Sequence, residues 1–271
     1  AMRPSEHALR PPEIWRRHTP RQTLFRYVWY VGIVFVVAWS VRSLDLPWEY
    51  FDDAGEQAMD LFTRMVPPDW DVLGGVLDAL IETIHIATLG TIVTVFIAFP
   101  IAFLSARNTT INTTTWVIGR FILVASRSVN TIVWALLFVA IFGPGPVAGI
   151  WAIAFRSIGF MGKLVAEAIE EIDEGTVEAI EATGASRLQV LWIGILPQVL
   201  PVIYGTTVYR WDINIRESTV LGFVGAGGIG ILLYSTMNLF RWEQVSVLMV
   251  AIFAVVVVSE FVSAAVRSRI T

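Results

Sequence analysis

The chain has 271 residues, of which 55% are hydrophobic and only 15% are charged. Its mean hydropathy of +0.66 is too high for an ordinary soluble domain. The absence of cysteine excludes a disulfide framework, a thiolate metal site and a cysteine nucleophile, and the formal net charge of −4 indicates no particular partner.

Residues 1–26 are polar and rich in arginine, and the apolar run Tyr27–Val41 follows them. Because no small-residue cleavage site comes after this run, we interpret it as an uncleaved first membrane span rather than a signal peptide. The positive-inside rule then places residues 1–26 in the cytoplasm. Residues 42–75 are rich in Asp and Glu and predict an outer loop. Nucleic-acid binding by the arginine segment is disfavoured, since no folded module accompanies it.

Further apolar blocks follow, and each is long enough to cross a bilayer. Six spans in total place both termini, and the mixed segment after the fourth span, on the arginine-rich side. The chain thus divides into a cytoplasmic segment (1–26), an N-terminal span with its outer loop (27–75) and a five-helix core (76–271). The core blocks are Val76–Leu104, Phe121–Phe142, Val147–Ile169, one that begins near Leu196, and Val245–Val266.

The partly charged segment 170–197, between the fourth and fifth spans, has the pattern of two short helices. Gly184 interrupts the first helix where a C-terminus needs a residue that tolerates a positive φ. Ser186, followed three residues later by Gln189, fits a capping box that starts the second helix. One apolar stripe at helical spacing runs through the segment and consists of Val177, Ile180, Gly184, Leu188 and Leu191.

Residues 225–230, after the fifth span, contain the glycines Gly225, Gly227, Gly228 and Gly230 and formally match the G-x-G-x-x-G fingerprint of dinucleotide sites. That fingerprint needs a soluble strand before it, so we interpret the glycines as an interrupted or re-entrant segment with close backbone packing. Lys163 is the only lysine, and no phosphate-binding loop surrounds it, which excludes a P-loop ATPase. The three histidines have no metal-ligand spacing and no hydrolase triad is visible, so we expect no metal site and no catalytic residues.

Charged side chains within spans are costly and usually pair with one another or line a pathway. Arg127 and Asn130, three residues apart, share one predicted helical face of the third span. In the polar stretch 209–218 we expect ion pairs such as Arg210–Asp212 or Arg216–Glu217, which is compatible with a role in the pathway. An anionic solute needs donor groups along its path, and Arg is suited to that. The candidate pathway residues are Arg127, Asn130, Arg216, Glu217 and Ser218.

Three stretches resemble known permeases. Glu178–Ala179, Gly184 and Leu196–Pro197 resemble the EAA loop of ABC importer permeases, with Gly194 where that family usually has Ile. Residues 127–138 and 216–230 are similar to the phosphonate importer permease family. The resemblance covers about residues 76–271.

The resemblance implies an all-α membrane protein of the type I ABC importer permease fold, with about six transmembrane helices and a cytoplasmic coupling loop. It implies a transporter subunit rather than an enzyme, embedded in the bilayer of a bacterial inner membrane. The implied partners are a second copy of the chain, two ATPase subunits that bind ATP and Mg²⁺, and a soluble substrate-binding protein, with no cofactor on this chain and no nucleic acid. The cargo would be phosphonate, phosphite or a related oxyanion.

Carried onto this sequence, ATPase coupling would involve Glu178, Ala179, Ile180, Glu181, Gly184, Leu196 and Pro197. The stripe Val177/Ile180/Gly184 would lie in the ATPase groove, and the glycines of residues 225–230 would serve gating. Three alternatives remain open. One is a permease for another small solute. The second is an ion-coupled secondary transporter, which would need no ATPase-docking loop. The third is a membrane enzyme, which would need a buried catalytic pair.

Overall fold

A computed structural model describes residues 20–44 and 47–269 of the chain, and these residues form helices and connecting turns without any strand. The chain divides into two compact units, Ala1–Met59 and Asp60–Thr271. Residues 1–19 of the predicted arginine-rich segment lie outside the described residues.

The first unit is dominated by α1 (Pro20–Ser43), which begins at a proline, a residue favoured in the first turn of a helix. Large apolar side chains are exposed on all sides of α1, as expected of a membrane-spanning helix. The predicted first span is therefore confirmed as a helix of sufficient length and apolarity. The acidic segment predicted as a loop contains two short helices, α2 (Glu49–Asp52) and α3 (Ala54–Arg64), the latter ending in the second unit.

The second unit is a helical bundle built on four long helices and two of medium length. The long helices are α4 (Leu73–Ser105), α7 (Pro146–Glu170), α10 (Leu196–Leu221) and α12 (Trp242–Arg267). The shorter helices are α5 (Thr113–Ser128), α6 (Thr131–Phe142), α8 (Glu174–Glu181), α9 (Arg187–Gln189) and α11 (Ile229–Asn238). Two 3₁₀ turns (Trp70–Val72 and Gly222–Val224) and a π-helical turn (Val190–Ile195) complete the unit.

Helix α7 lies at the centre of the bundle and packs against α4, α5, α6 and α10. It can do so because many of its buried positions carry small residues, including Ala148, Ala152 and Ala154, which are fully buried. Small residues let helix backbones approach closely, which is how helices associate where no water drives them together.

The bundle has two distinct ends, separated by the length of α7, whose 25 residues span roughly 37 Å. At the first end, Glu170 accepts hydrogen bonds from the Arg120 guanidinium (2.7 Å) and from the Arg107 backbone N–H (3.0 Å). The segment 170–197 lies at this end, which we call the coupling end. At the second end, the Gly145 N–H donates to the carbonyl oxygen of Gly225 (2.8 Å), and we call it the glycine end.

The third predicted span is wrong as a single helix. It is a pair, α5 and α6, bent by 95° at a short break. The break arises because Val129 is extended and Asn130 caps a new helix, accepting a hydrogen bond from the Ile132 N–H at 3.0 Å. Since α5 begins at the coupling end and α6 ends at the glycine end, the pair still crosses once. Counting the pair as one, the described residues contain six candidate spans, as the sequence predicts.

Candidate functional site

The turn at the coupling end has the two-helix form that its sequence predicts. Gly184 follows α8 with a φ of +80°, and its N–H donates to the Glu181 carbonyl oxygen (2.9 Å). The Ser186 N–H donates to Gln189 Oε1 (2.7 Å) in a capping box that starts α9. Both local predictions are confirmed.

The N-terminus of α8 is fixed by Asp173, whose carboxylate accepts from the Gly175 N–H (3.1 Å) and from the Thr176 hydroxyl (2.7 Å). The Thr176 hydroxyl, and after it the Gly175 N–H, hold the pKa of the exposed Asp173 carboxyl below its usual value. Helix α8 is therefore anchored at its start by bonds within a few residues.

The apolar stripe of α8 does not face outward. Val177 and Ile180 are half-buried against their own chain, and a Cβ added to Gly194 would lie 3.1 Å from Cδ1 of Ile180. The missing side chain at Gly194 lets α8 pack on the π-helical turn, and the location of these two side chains in an ATPase groove stays a prediction. The exposed side chains of α8 are Glu174, Thr176, Glu178, Ala179 and Glu181, and the last three belong to the predicted coupling residues.

Leu196 and Pro197, also predicted to couple to the ATPase, begin α10. Leu196 is buried in a core cluster with Ala102, Ile169 and Ile195, whereas Pro197 is exposed. Leu196 therefore packs within the bundle. Nothing in the sequence pattern indicates the π-helical turn that precedes it.

A cavity of about 390 Å³, with both polar and apolar residues in its wall, lies beside the bend between α5 and α6. Its wall contains Asn130, Thr131, Arg156, Arg216 and Glu217, contributed by the bend, α7 and α10. Because α7, α10 and the α5–α6 pair are candidate membrane spans, the cavity brings polar groups together among these spans.

At this cavity, the carboxylate of one helix accepts hydrogen bonds from side chains of two other helices. Glu217 of α10 accepts from Arg156 Nη1 of α7 (3.0 Å) and from the Thr131 hydroxyl at the start of α6 (2.7 Å). Arg156 also donates to the Thr131 hydroxyl (3.2 Å). The sequence suggested Glu217 as a partner of Arg216, which is wrong: adjacent residues of a helix do not face each other.

The second expected ion pair is also different. Asp212 pairs with Arg216, four residues on, and accepts a further bond from the Ser259 hydroxyl (2.8 Å). Arg210 pairs with no carboxylate in the described part of the chain. Its buried guanidinium donates to the Ser157 hydroxyl (2.7 Å) and to Asn214 Oδ1 (3.1 Å). The spacing of four residues is the signal that could have identified the Asp212–Arg216 pair.

Two of the candidate pathway residues lie away from the cavity. Ser218 is fully buried and donates to the Thr83 carbonyl oxygen of α4 (3.2 Å), so it holds α10 against α4. Arg127 lies in the last turn of α5, and the bend removes it from the helical face that it was predicted to share with Asn130. Arg156, which the sequence indicated only as a charge within a span, takes their place in the wall.

The glycine end contains the interruption predicted for residues 225–230. Gly225, Gly227 and Gly228 have φ values of +80°, +90° and +75°. The Ile229 N–H donates to the Thr83 hydroxyl (2.8 Å), which fixes the start of α11 against α4. With 10 residues, α11 is too short to cross a bilayer. We call residues 222–230 the glycine turn.

Comparison with known proteins identifies the family to which this architecture belongs. A family model described as "Binding-protein-dependent transport system inner membrane component" matches residues 73–271, more than half of the chain. The chain belongs to this family. Over 238 residues it is 35% identical to the phosphite transport system permease protein PtxC of Stutzerimonas stutzeri, covering 88% of this chain and 86% of that protein.

Two further relatives extend the comparison. The chain is 37% identical over 214 residues to the phosphate-import permease protein PhnE of Mycolicibacterium smegmatis, covering 79% of this chain and 40% of that protein. The chain thus spans less than half the length of this second relative. A structure of the MetNI methionine ABC transporter in inward-facing conformations contains a chain of similar fold, with a TM-score of 0.66 and 21% identity over 75% of this chain and 99% of that chain.

These findings establish the class of the protein. It is a multi-pass inner-membrane permease subunit of an ABC importer with the type I fold, and it is not an enzyme. Membership implies an ATPase on a separate subunit and a substrate-binding protein as partners. The alternative of an ion-coupled secondary transporter is not favoured.

Proposed function

We propose that the protein is the permease through which an ATP-driven importer moves phosphite, a phosphonate or a related small oxyanion. The observation that carries this proposal is the pair of arginines, Arg156 and Arg216, in the wall of the cavity among the candidate membrane spans. A guanidinium presents a fork of donors that matches the oxygens of such anions. The similarity to PtxC, named for phosphite transport, points to the same class of cargo.

In this proposal the pathway passes the cavity, and Asn130, Arg216 and Glu217 line it together with Arg156. Arg127 contributes a positive charge in the last turn of α5. Apolar side chains at the cavity wall, Ile132 and Val220, are exposed in the single chain. Their exposure supports a second copy of the chain that covers this face in a homodimer.

The coupling end faces the cytoplasm in this assembly. Arg107, Arg120 and Arg187 lie at this end, in agreement with the positive-inside rule. Both termini are then cytoplasmic. Residues 1–26 form a cytoplasmic segment, 27–75 an N-terminal span with its outer part, and 76–271 the core with the coupling loop 170–197.

Two ATPase subunits dock at the coupling loop, one on each copy, and they bind the ATP and Mg²⁺, while this chain binds no cofactor. The exposed face of α8, with Glu178, Ala179 and Glu181, meets basic groups of the ATPase, and the Gly184 corner sets its direction. The glycine turn lies at the outer end, where it takes part in gating.

The test is a reconstituted complex in liposomes, with this chain as the only permease subunit and with its ATPase and substrate-binding protein. We expect ATP-dependent uptake of labelled phosphite or methylphosphonate that requires the binding protein. The Arg216→Met variant should reduce uptake by about tenfold or more while the binding protein keeps its affinity, because one charge-assisted contact along the path is lost. Uptake of neither anion by the unchanged complex would refute the proposed cargo.

A further inference from the structure

Arg156 is the donor at the cavity whose partners the structure defines most fully. Its Nη1 donates to Glu217 Oε1 (3.0 Å) and to the Thr131 hydroxyl (3.2 Å). Its Nε is buried and has no hydrogen-bond partner within the described residues. A buried donor without a partner is costly, so Arg156 retains capacity for one more acceptor.

The surroundings of this arginine carry an excess of positive charge. Arg156 and Arg210 lie over the ring of Phe160, with their Cζ atoms 5.4 Å and 5.0 Å from its centroid. Arg210 is only 3% exposed and forms no ion pair in the described part of the chain. Asp212 forms an ion pair with Arg216. Glu217 is therefore the one carboxylate in the cavity wall whose negative charge can compensate the positive charges of Arg156 and Arg210.

We propose that Glu217 is an internal substitute for the transported anion. Its carboxylate occupies Arg156 when the cavity is empty of cargo, and an entering oxyanion takes its place on the guanidinium. The inference rests on the proposed function and names the residue that receives the oxyanion within the membrane. A carboxylate and a phosphonate or phosphite present the same kind of oxygen pair to a guanidinium. The guanidinium therefore makes the same kind of charge-assisted hydrogen bond before and after the exchange.

The exchange has a mechanical consequence, because Glu217 also accepts from Thr131, the first residue of α6 after the bend. When the anion takes Arg156, the carboxylate loses its cation, and the bond that ties the bend to α10 weakens. Occupancy of the cavity is thereby linked to the angle between α5 and α6. It also keeps retention weak, since Glu217 competes with the cargo, and a transporter must release what it binds.

The test uses the whole complex in lipid nanodiscs without the binding protein, with labelled phosphite and labelled methylphosphonate as probes. We expect Glu217→Gln to retain at least about tenfold more anion than the unchanged complex, because the competing carboxylate is gone. The amide still accepts a bond from Thr131, so the bend is preserved. Uptake by the same variant should fall by about tenfold, because the anion leaves slowly.

Two further variants separate this role from a purely structural tie. Arg156→Gln combined with Glu217→Gln should retain no more anion than the unchanged complex, since the receiving guanidinium is absent. Glu260→Gln removes the same charge from α12 outside the cavity and should leave retention unchanged. Thermal unfolding of each complex shows whether a loss of uptake follows a loss of stability.

Retention by Glu217→Gln equal to that of the unchanged complex would overturn the inference, as would equal gains in Glu217→Gln and Glu260→Gln. These results differ from a failure of the proposed function, in which the unchanged complex takes up neither anion. Unchanged uptake together with unaltered retention in Glu217→Gln leaves the permease assignment intact and assigns the Arg156–Glu217 pair a structural role only.

Discussion

Two turns of this permease depend on glycine, one at each end of the bundle, and both contain glycines with a positive φ, but only one of them also needs glycine for close backbone approach. At the coupling end, a Cβ added to Gly184 would meet no atom within 4 Å, so only its φ of +80° calls for glycine. At the glycine end, a Cβ on Gly222 would lie 2.3 Å from the backbone nitrogen of Ile231, and one on Gly230 would lie 2.3 Å from the Thr219 carbonyl oxygen.

The difference shows how each turn serves the molecule. The glycine turn packs against α4, α10 and α11, and at Gly222 and Gly230 the atoms nearest to an added Cβ belong to the backbone, which cannot move aside as a flexible side chain can. The Gly184 corner projects from the bundle and is held by bonds to nearby residues of the same segment. We expect a substitution in the glycine turn to affect folding and assembly, and a substitution at the Gly184 corner to affect communication with the ATPase.

The largest effect is expected from Gly222→Ala. Its Cβ would press on the backbone of Gly230 and Ile231, which cannot give way without moving α11, and such overpacking costs about 3 kcal/mol. We expect little assembled complex, measured as the yield of permease that co-purifies with the ATPase. The matched control is Gly205→Ala in α10, whose Cβ would meet no atom within 4 Å. Equal yields of the two variants would show that the close approach is not needed.

A smaller effect on stability, but a large one on function, is expected from Gly184→Val. A β-branched residue at a left-handed φ costs roughly 1–2 kcal/mol, and the chain around the corner will shift to relieve it. We expect the complex to assemble, while ATP hydrolysis continues without the corresponding uptake. The ratio of anion transported to ATP hydrolysed in liposomes measures this. A normal ratio would indicate that the corner does not transmit the signal.

The smallest effect is expected from Gly184→Asn, since Asn tolerates the left-handed conformation better than other side chains do. Its cost should be a few tenths of a kcal/mol above that of glycine, and coupling should persist because the space around the corner is open. The same coupling assay compares it directly with the Val variant. Loss of coupling in both would mean that the ATPase fits closely against this position, so that side-chain volume and not φ is decisive.

Much of the coupling end could be predicted from the sequence because its bonds join close neighbours. The Gly184 corner and the Ser186–Gln189 capping box each lie within four residues, where local conformational preferences decide the outcome. The Asp212–Arg216 pair belongs to the same class, and helical spacing alone would have found it. The break at Asn130 also has a local cause, since Asn is a preferred helix cap.

The sequence by itself therefore determined the membrane class, the six spans, the two-helix form of segment 170–197 and the interruption near residue 225, since hydropathy and turn chemistry act over short stretches. Only the tertiary structure decided that Glu217 binds Arg156 and Thr131, which are 61 and 86 residues away. It also decided that Val177 and Ile180 turn inward to the space left by Gly194. Such contacts depend on which helix faces are brought together by the packing around α7. The sequence indicates which residues share a face of one helix, but it does not indicate which face of another helix packs against them.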